Sequence, residues 1–154
     1  MKGMTVIVKT VSSWTKVLIF LFGIYIVLFG HLTPGGGFAG GVILACSYVL
    51  LLLAYGREFA EKNLSLGTAS KLDCAGALLF AAVALAGFLY GSASFFYNFI
   101  HQEYLAGHQT AFKMISAGII PLANIAIGLK VGASLFMIVI LLSTFKPRSG
   151  GEKE

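Results

Sequence analysis

The chain has 154 residues, of which 58% are hydrophobic and only 11% charged, and its mean hydropathy is +0.90. A soluble domain carries about 25% charged residues, and a domain this short exposes a large share of its surface. The composition therefore excludes a soluble globular domain and a disordered chain. The excess of 11 Lys and Arg over 6 Asp and Glu lies mostly between long apolar runs, so it indicates membrane orientation rather than nucleic-acid binding.

Four apolar stretches are long enough to cross a bilayer, which takes roughly 20 helical residues. They cover approximately 11–30, 37–55, 74–96 and 119–145. Unbroken apolar runs exclude a porin-like barrel, whose strands alternate with a period of two. We therefore predict an all-α integral membrane protein: one membrane domain over 1–154 with four transmembrane helices and a polar cytoplasmic tail, 146–154.

The distribution of Lys and Arg predicts the orientation of these four spans. The N-terminus, the loop 56–73 and the C-terminus share one side of the membrane. Nine basic residues lie on that side: Lys2, Lys9, Lys16, Arg57, Lys62, Lys71, Lys146, Arg148 and Lys153. The other side holds only Lys113, so the positive-inside rule places both termini in the cytoplasm of a multi-pass protein of the cell membrane.

A glycine-rich connection, 31–41, joins the first two spans. Pro34 is expected to end the first helix, and Gly35 supplies backbone angles that other residues avoid. Gly-x-x-x-Gly spacings, which let another helix approach closely, occur at Gly36/Gly40, Gly37/Gly41 and, in the last span, Gly128/Gly132. The Gly-Lys-Ser/Thr ending of a phosphate-binding loop is absent. We interpret the segment as a tight turn with close packing; the alternative is a backbone that lines an aqueous cavity.

Lys130 is the most informative single residue. It lies about 13.5 Å into a helix that begins at Pro121, well inside a hydrocarbon layer about 30 Å thick. A charge at that depth is a functional-site hypothesis; the alternatives are that Lys130 extends to the interface or locks subunits together. No Asp or Glu falls within a predicted span, so we expect its counter-charge to come from another subunit, water or the outer loop. The same absence disfavours a self-sufficient transporter.

The outer segment 97–118 carries polar residues without a strong metal-ligand spacing. It forms either a solvated or subunit-contacting loop, or an ion-access funnel whose histidines titrate near neutral pH. Asn124 fits an interhelical hydrogen bonder better than an ion ligand, and it is kept as a member of the ion-path hypothesis. The full set of residues in that hypothesis is Lys130, His31, His101, Glu103, His108 and Asn124.

The sequence contains no recognisable cofactor or metal site. Cys46 and Cys74 lie in or beside apolar runs without metal-ligand spacing. All three histidines lie outside the predicted spans, which disfavours a pair of haem ligands within the membrane. We therefore expect no cofactor, no metal and no catalytic residue in this chain.

Two stretches resemble the MnhB/MrpB family, the B subunit of Mrp-type multisubunit Na⁺/H⁺ antiporters. The first is Gly30-His31 followed by Thr33-Pro34-Gly35-Gly36-Gly37-Phe38 and Gly40-Gly41-Val42-Ile43-Leu44-Ala45. The second runs from Ser116-Ala117-Gly118-Ile119-Ile120-Pro121 to Lys130-Val131-Gly132-Ala133. Similar subunits belong to the antiporter module of archaeal membrane-bound hydrogenase and sulfane reductase complexes.

The resemblance implies a small non-catalytic membrane subunit that works with other Mrp-type subunits in the exchange of Na⁺ and H⁺. Two alternatives stay open. One is the same subunit type within a redox-driven ion pump, with the redox catalysis in other subunits; the other is a purely structural membrane subunit.

The predicted orientation is testable by cysteine labelling. Single cysteines near Ala106 and near Ser149, in a background that lacks Cys46 and Cys74, should react with an impermeant reagent from opposite faces of the membrane, because an odd number of spans separates them. Labelling of both positions from the same face would contradict this topology.

Overall fold

The computed structural model describes residues 4–89, 94–98, 100 and 117–144. The helices described within these ranges are α1 (Val6–Leu28), α2 (Gly36–Tyr55), α3 (Arg57–Asn63), α4 (Leu66–Leu89) and α5 (Ile120–Leu142). All except α3 are long and apolar enough to cross a membrane. The prediction of an all-α fold with four helices of spanning length is therefore confirmed.

Some expectations fall on residues outside the described ranges. They are the side chains of His101, Glu103 and His108, the tail 146–154, and the labelling positions Ala106 and Ser149.

The start of α4 differs most from the prediction, which placed the third span at 74–96. The helix begins at Leu66, about two turns earlier. The Ser65 hydroxyl accepts a hydrogen bond from the Thr68 backbone N–H at 3.1 Å, which is the contact of a helix N-cap. The charges of Lys71 and Asp73 interrupt the apolar run but do not interrupt the helix. Both residues therefore belong to the spanning helix α4.

The other end of α4 is also earlier than predicted. The helix ends at Leu89, and the residues 94–98 lie back along it. The Phe96 N–H bonds the Ala84 carbonyl at 3.3 Å, and the Phe96 ring contacts Phe80 with centroids 5.2 Å apart. The predicted extension of the span to residue 96 is therefore wrong, because the chain reverses and packs its aromatic rings on the helix.

The first span also lies earlier in the chain than predicted. The prediction gave 11–30 with Pro34 as the helix stop, whereas α1 is Val6–Leu28. The Thr33 hydroxyl and N–H both bond the Phe29 carbonyl at 3.1 Å, so turns already close the helix before Pro34 is reached. Gly35 and Gly36, with φ of 138° and 61°, then reverse the chain into α2.

The four long helices pack in the order α1, α2, α5, α4, with further contacts between α1 and α5. At one end of the bundle lies α3, and we call this the α3 end. There the Met4 N–H bonds the Ala54 carbonyl at 3.1 Å, and Arg57 Nη1 donates to the Thr144 hydroxyl at 2.7 Å. A buried cluster ties α2, α3, α4 and α5 together at this end: Leu52, Ala60, Ala69, Phe136 and Ile140. The opposite end, which holds the turn 29–35 and the start of α5, is the glycine-turn end.

Glycines allow α2 to contact both of its neighbours at backbone distance. A Cβ atom at Gly40 would lie 2.9 Å from the Val27 backbone nitrogen of α1. A Cβ atom at Gly41 would lie 2.8 Å from the Gly128 carbonyl oxygen of α5. Both distances are shorter than van der Waals contact, so any larger residue would force the helices apart.

We predict that Gly40→Leu destabilises the bundle by about 1–3 kcal/mol or more, because the added side chain has to displace the backbone of α1. The measurement is thermal unfolding of the purified chain in mild detergent. Gly67→Leu is the matched control, because a Cβ atom at Gly67 meets only Ser65 Oγ, at 4.0 Å. Equal thermal stability of the two variants would contradict the close-approach argument.

Candidate functional site

An ion pair joins α4 to α5. Lys130 Nζ lies 2.8 Å from Asp73 Oδ1, and the Ser134 hydroxyl donates to the same carboxylate oxygen at 2.5 Å. Lys130 and Ser134 are one helical turn apart on α5, so both side chains face α4. The cluster therefore combines a cation, a carboxylate and a hydroxyl from two spanning helices.

This pair corrects the predicted surroundings of Lys130. The expectation that no acidic residue lies within a span is wrong, because α4 includes Asp73. The counter-charge of Lys130 is accordingly supplied by the same chain, and the argument against a self-sufficient transporter no longer holds. The prediction failed because hydropathy placed the start of the third span at Cys74, immediately after this aspartate.

The backbones of α4 and α5 approach closely beside the pair. A Cβ atom at Gly76 would lie 2.8 Å from both the Ala126 carbonyl oxygen and the Lys130 backbone nitrogen. Gly76 follows Asp73 by three residues and therefore shares its face of α4. The close approach at Gly76 thus places the short Asp73 side chain within reach of the longer Lys130 side chain.

The pair lies away from the ends of α5. At 1.5 Å per residue, Lys130 is about 15 Å from Ile120 and about 18 Å from Leu142 along the helix. The Lys130 side chain is nevertheless 47% exposed, and the Asp73 side chain 24% exposed. Part of this charged cluster therefore faces whatever surrounds the chain at that depth, whether lipid, water or another protein.

Lys16 provides a comparison, because it also lies within a spanning helix. Its ammonium lies 4.8 Å from the centroid of the Tyr48 ring. Near the start of the same helix, the Lys9 ammonium lies 5.7 Å from the Tyr55 ring centroid. Aromatic faces attract these two cations. Among the described lysines, only Lys130 forms an ion pair.

A second polar contact lies at the glycine-turn end. Asn124 Oδ1 accepts a hydrogen bond from the Gly37 N–H at 3.2 Å, which links α5 to the first turn of α2. Asn124 Nδ2 is buried and has no hydrogen-bond partner among the described residues. A Cβ atom at Gly30 would lie 2.9 Å from this nitrogen, so the turn also packs on the Asn124 amide. Asn124 therefore holds the glycine-rich turn against α5.

The remaining predicted residues do not form one site in the described structure. His31 is half-buried in the turn after α1, whereas Lys130 lies in the middle of α5. Gly132 packs on α2, with its Cβ position 3.3 Å from the Gly41 carbonyl oxygen. Cys46 and Cys74 are free thiols, and the described residues contain no group of three or more His, Cys, Asp or Glu that could hold a metal ion.

Sequence reasoning missed two members of the cluster, Asp73 and Ser134. The spacing from Lys130 to Ser134 was available as a signal, since residues four apart share a helix face. No comparable signal joined Asp73 to Lys130, because the two lie 57 residues apart in the chain.

Comparison with known proteins assigns the family. A family described as "Domain related to MnhB subunit of Na+/H+ antiporter" matches residues 7–137. The chain belongs to this MnhB family. The resemblance of the glycine-rich turn and of the last span to MnhB/MrpB proteins is thereby confirmed.

This MnhB-family chain is similar to proteins of archaea and bacteria. It is 38% identical over 146 residues to an uncharacterized protein of Methanocaldococcus jannaschii, covering 92% of this chain and 53% of that protein. It is 32% identical over 124 residues to the putative antiporter subunit mnhB2 of Staphylococcus haemolyticus, covering 78% of this chain and 86% of that subunit.

A solved structure shares the fold. The MnhB-family chain superimposes with a TM-score of 0.73 and 29% identity on a chain of the membrane-bound sulfane sulfur reductase, an archaeal respiratory membrane complex. The match covers 92% of this chain and 61% of that one. The MnhB-family chain thus spans about half of the Methanocaldococcus relative and about three fifths of the reductase chain.

We predict that Asp73 and Lys130 of this MnhB-family chain are energetically coupled by at least about 1 kcal/mol, because removal of one partner leaves the other charge uncompensated. The measurement is a double-mutant cycle of unfolding in detergent with Asp73→Asn, Lys130→Met and the double variant. The control cycle removes Arg57 and Glu61, an i,i+4 pair at the α3 end whose side chains are 38% and 32% exposed. That pair should couple by only about 0.3–0.5 kcal/mol. An Asp73–Lys130 coupling no larger than the control value would contradict the prediction and show that the pair contributes no more than an exposed i,i+4 pair.

Proposed function

We propose that this chain is a non-catalytic membrane subunit of a multisubunit Na⁺/H⁺ antiporter of the Mrp type, and that the Asp73–Lys130 pair takes part in ion exchange. Family membership supports the first half of the proposal. The observation that carries the second half is the position of the pair. Lys130, in the middle of one helix of spanning length, meets the Asp73 carboxylate of a second such helix, and about half of the Lys130 side chain is exposed.

The cost of charge inside a membrane favours a functional role for the pair. Ionisable residues in spanning helices are costly and usually belong to ion pathways, proton relays or pairs. A purely structural pair is expected to be enclosed, because water competes for the two charges at an exposed edge. The Asp73–Lys130 pair is instead open on one side, which allows another group or an ion to reach it.

The exposed edge also favours a multisubunit complex. Lipid does not solvate a charged group, so a half-exposed ammonium at this depth needs water or a polar partner. Large apolar side chains on α4 are exposed in the isolated chain, including Leu78, Leu85 and Leu89. A neighbouring subunit of the assembly would cover part of this surface, and we place the complex in the cell membrane.

A redox-driven ion pump is the second candidate. It is favoured by the structural match to a chain of the membrane-bound sulfane sulfur reductase. In that case the chain would belong to the ion-translocating part, and the redox chemistry would lie in other subunits. Purification of a tagged chain in mild detergent distinguishes the two candidates, because co-purifying proteins would be antiporter subunits only or would include a reductase or hydrogenase arm.

We predict that Lys130→Met lowers Na⁺/H⁺ exchange about tenfold or more, equivalent to about 1.4 kcal/mol at the barrier, while the complex still assembles. The substitution removes the charge and keeps a side chain of similar length. The measurement is exchange in vesicles that contain the purified complex, normalised to the amount of complex.

Lys71→Met is the matched control, because it removes an exposed lysine of α4 that forms no ion pair within the described residues. Its exchange rate should stay close to that of the wild type. Unchanged exchange in an assembled Lys130→Met complex would end the functional claim. Loss of assembly in both Lys130→Met and Asp73→Asn, with recovery in the double variant, would instead assign the pair a structural role.

A further inference from the structure

Asp73 Oδ1 is the point at which the polar groups of the cluster converge. It accepts hydrogen bonds from the Lys130 ammonium at 2.8 Å and from the Ser134 hydroxyl at 2.5 Å. The Ser134 oxygen keeps lone pairs of its own, since a hydroxyl accepts as well as donates. A carboxylate and a hydroxyl side by side are the hard oxygen ligands that small inorganic cations prefer. In the described structure the Lys130 ammonium is the cation that this carboxylate holds.

The charge of the cluster selects a monovalent cation. Asp73 is the only acidic residue in the described spanning helices, so the cluster without the ammonium carries one negative charge. One monovalent cation restores neutrality. A divalent cation would leave a net positive charge at a depth where uncompensated charge is costly.

The ammonium is able to leave without repacking of the helices. The side chain of Lys130 is 47% exposed, and its Nζ makes no hydrogen bond in the described structure other than that to Asp73. The backbone at Lys130 is held separately, by the close approach of Gly76. Rotation of the lysine side chain away from α4 would therefore free the carboxylate while the α4–α5 contact stays intact.

We propose that Asp73 and Ser134 form a Na⁺ site, and that Lys130 is an internal cation that competes with Na⁺ for the Asp73 carboxylate. This assignment rests on the proposed function and names the ion-binding group that this chain contributes to it. When Na⁺ binds, the ammonium is displaced toward the exposed face, where water or a polar group of a neighbouring subunit compensates its charge. When Na⁺ leaves, the ammonium returns and keeps the carboxylate neutralised. Because the competitor occupies the site, the apparent affinity for Na⁺ is reduced to the intrinsic affinity multiplied by the fraction of molecules in which the carboxylate is free.

The test uses dicyclohexylcarbodiimide, which modifies protonated carboxyl groups in apolar surroundings, on the intact complex in mild detergent. Mass spectrometry of the peptide that contains Asp73 measures the modification. In choline chloride, Asp73 of the wild type should react little because Lys130 keeps it ionised, whereas Asp73 in Lys130→Met should react strongly. NaCl at the same ionic strength should protect Asp73 in Lys130→Met, and Asp73→Asn should show no modification at that position.

The contribution of Ser134 is measured in the Lys130→Met background. Ser134→Ala should raise the Na⁺ concentration for half-protection about tenfold, because one oxygen ligand is lost. Ser143→Ala is the matched control, since the Ser143 hydroxyl bonds the Ile140 carbonyl at the far end of α5. It should leave the half-protecting concentration unchanged. Equal protection by choline and Na⁺, or no effect of Ser134→Ala, would overturn the proposed site.

A measurement on the wild-type complex covers the case in which Lys130→Met does not assemble. Na⁺, but not choline, should increase acylation of Lys130 by a membrane-permeant amine reagent, because the displaced ammonium is freed from Asp73. The absence of a Na⁺-specific increase would overturn the competition. Protection by Na⁺ tests the cation site, and the exchange rate tests the proposed function, so the two claims can fail independently. Slow exchange in Lys130→Met without protection by Na⁺ rejects the cation site alone. Protection by Na⁺ with a normal exchange rate rejects the proposed function alone.

Discussion

Close contact between helix backbones at glycines is the constraint on which the described bundle depends. Helices in lipid gain little from the hydrophobic effect, so they associate through van der Waals contact and hydrogen bonds between closely fitting surfaces. Gly40 and Gly41 bring α2 against α1 and α5, and Gly76 brings α4 against α5. Each contact is closer than a Cβ atom would allow. The Asp73–Lys130 contact follows from the approach at Gly76.

The Asp73–Lys130 pair is one consequence of that geometry. Aspartate has a short side chain, so its carboxylate meets the lysine only because Gly76 lets the two helices touch. The same approach leaves the pair at the edge of the α4–α5 contact, where both side chains are partly exposed. Partial exposure of these two side chains is consistent with the proposed role in ion exchange, which requires that ions reach the pair. The close approach of α4 and α5 at Gly76 therefore both packs the bundle and forms the pair on which the proposed function depends.

Much of the fold could be predicted, whereas the candidate site could be predicted only in part. The spans, their number and their helical nature follow from the length of the apolar runs, since a bilayer imposes a minimum length and requires internal backbone hydrogen bonds. Lys130 could be singled out as well, because a charge inside an apolar run of spanning length is costly. The start of α4 was misplaced, because a hydropathy pattern treats Lys71 and Asp73 as polar residues outside the membrane. Both residues nevertheless lie in α4, because the helix begins after the Ser65 cap, about two turns before Asp73.

The sequence by itself determined the class of protein, the four spanning helices and the family, because composition, the length of apolar runs and local motifs are properties of contiguous residues. It also identified Gly40 and Gly41 as positions of close packing, but not Gly76. Only the tertiary structure decided which helices meet and which acid neutralises Lys130. Asp73 and Lys130 lie 57 residues apart, and their contact depends on the register between α4 and α5. That register is set by the packing of Gly76 on Ala126 and Lys130, a contact between distant segments that no local pattern encodes.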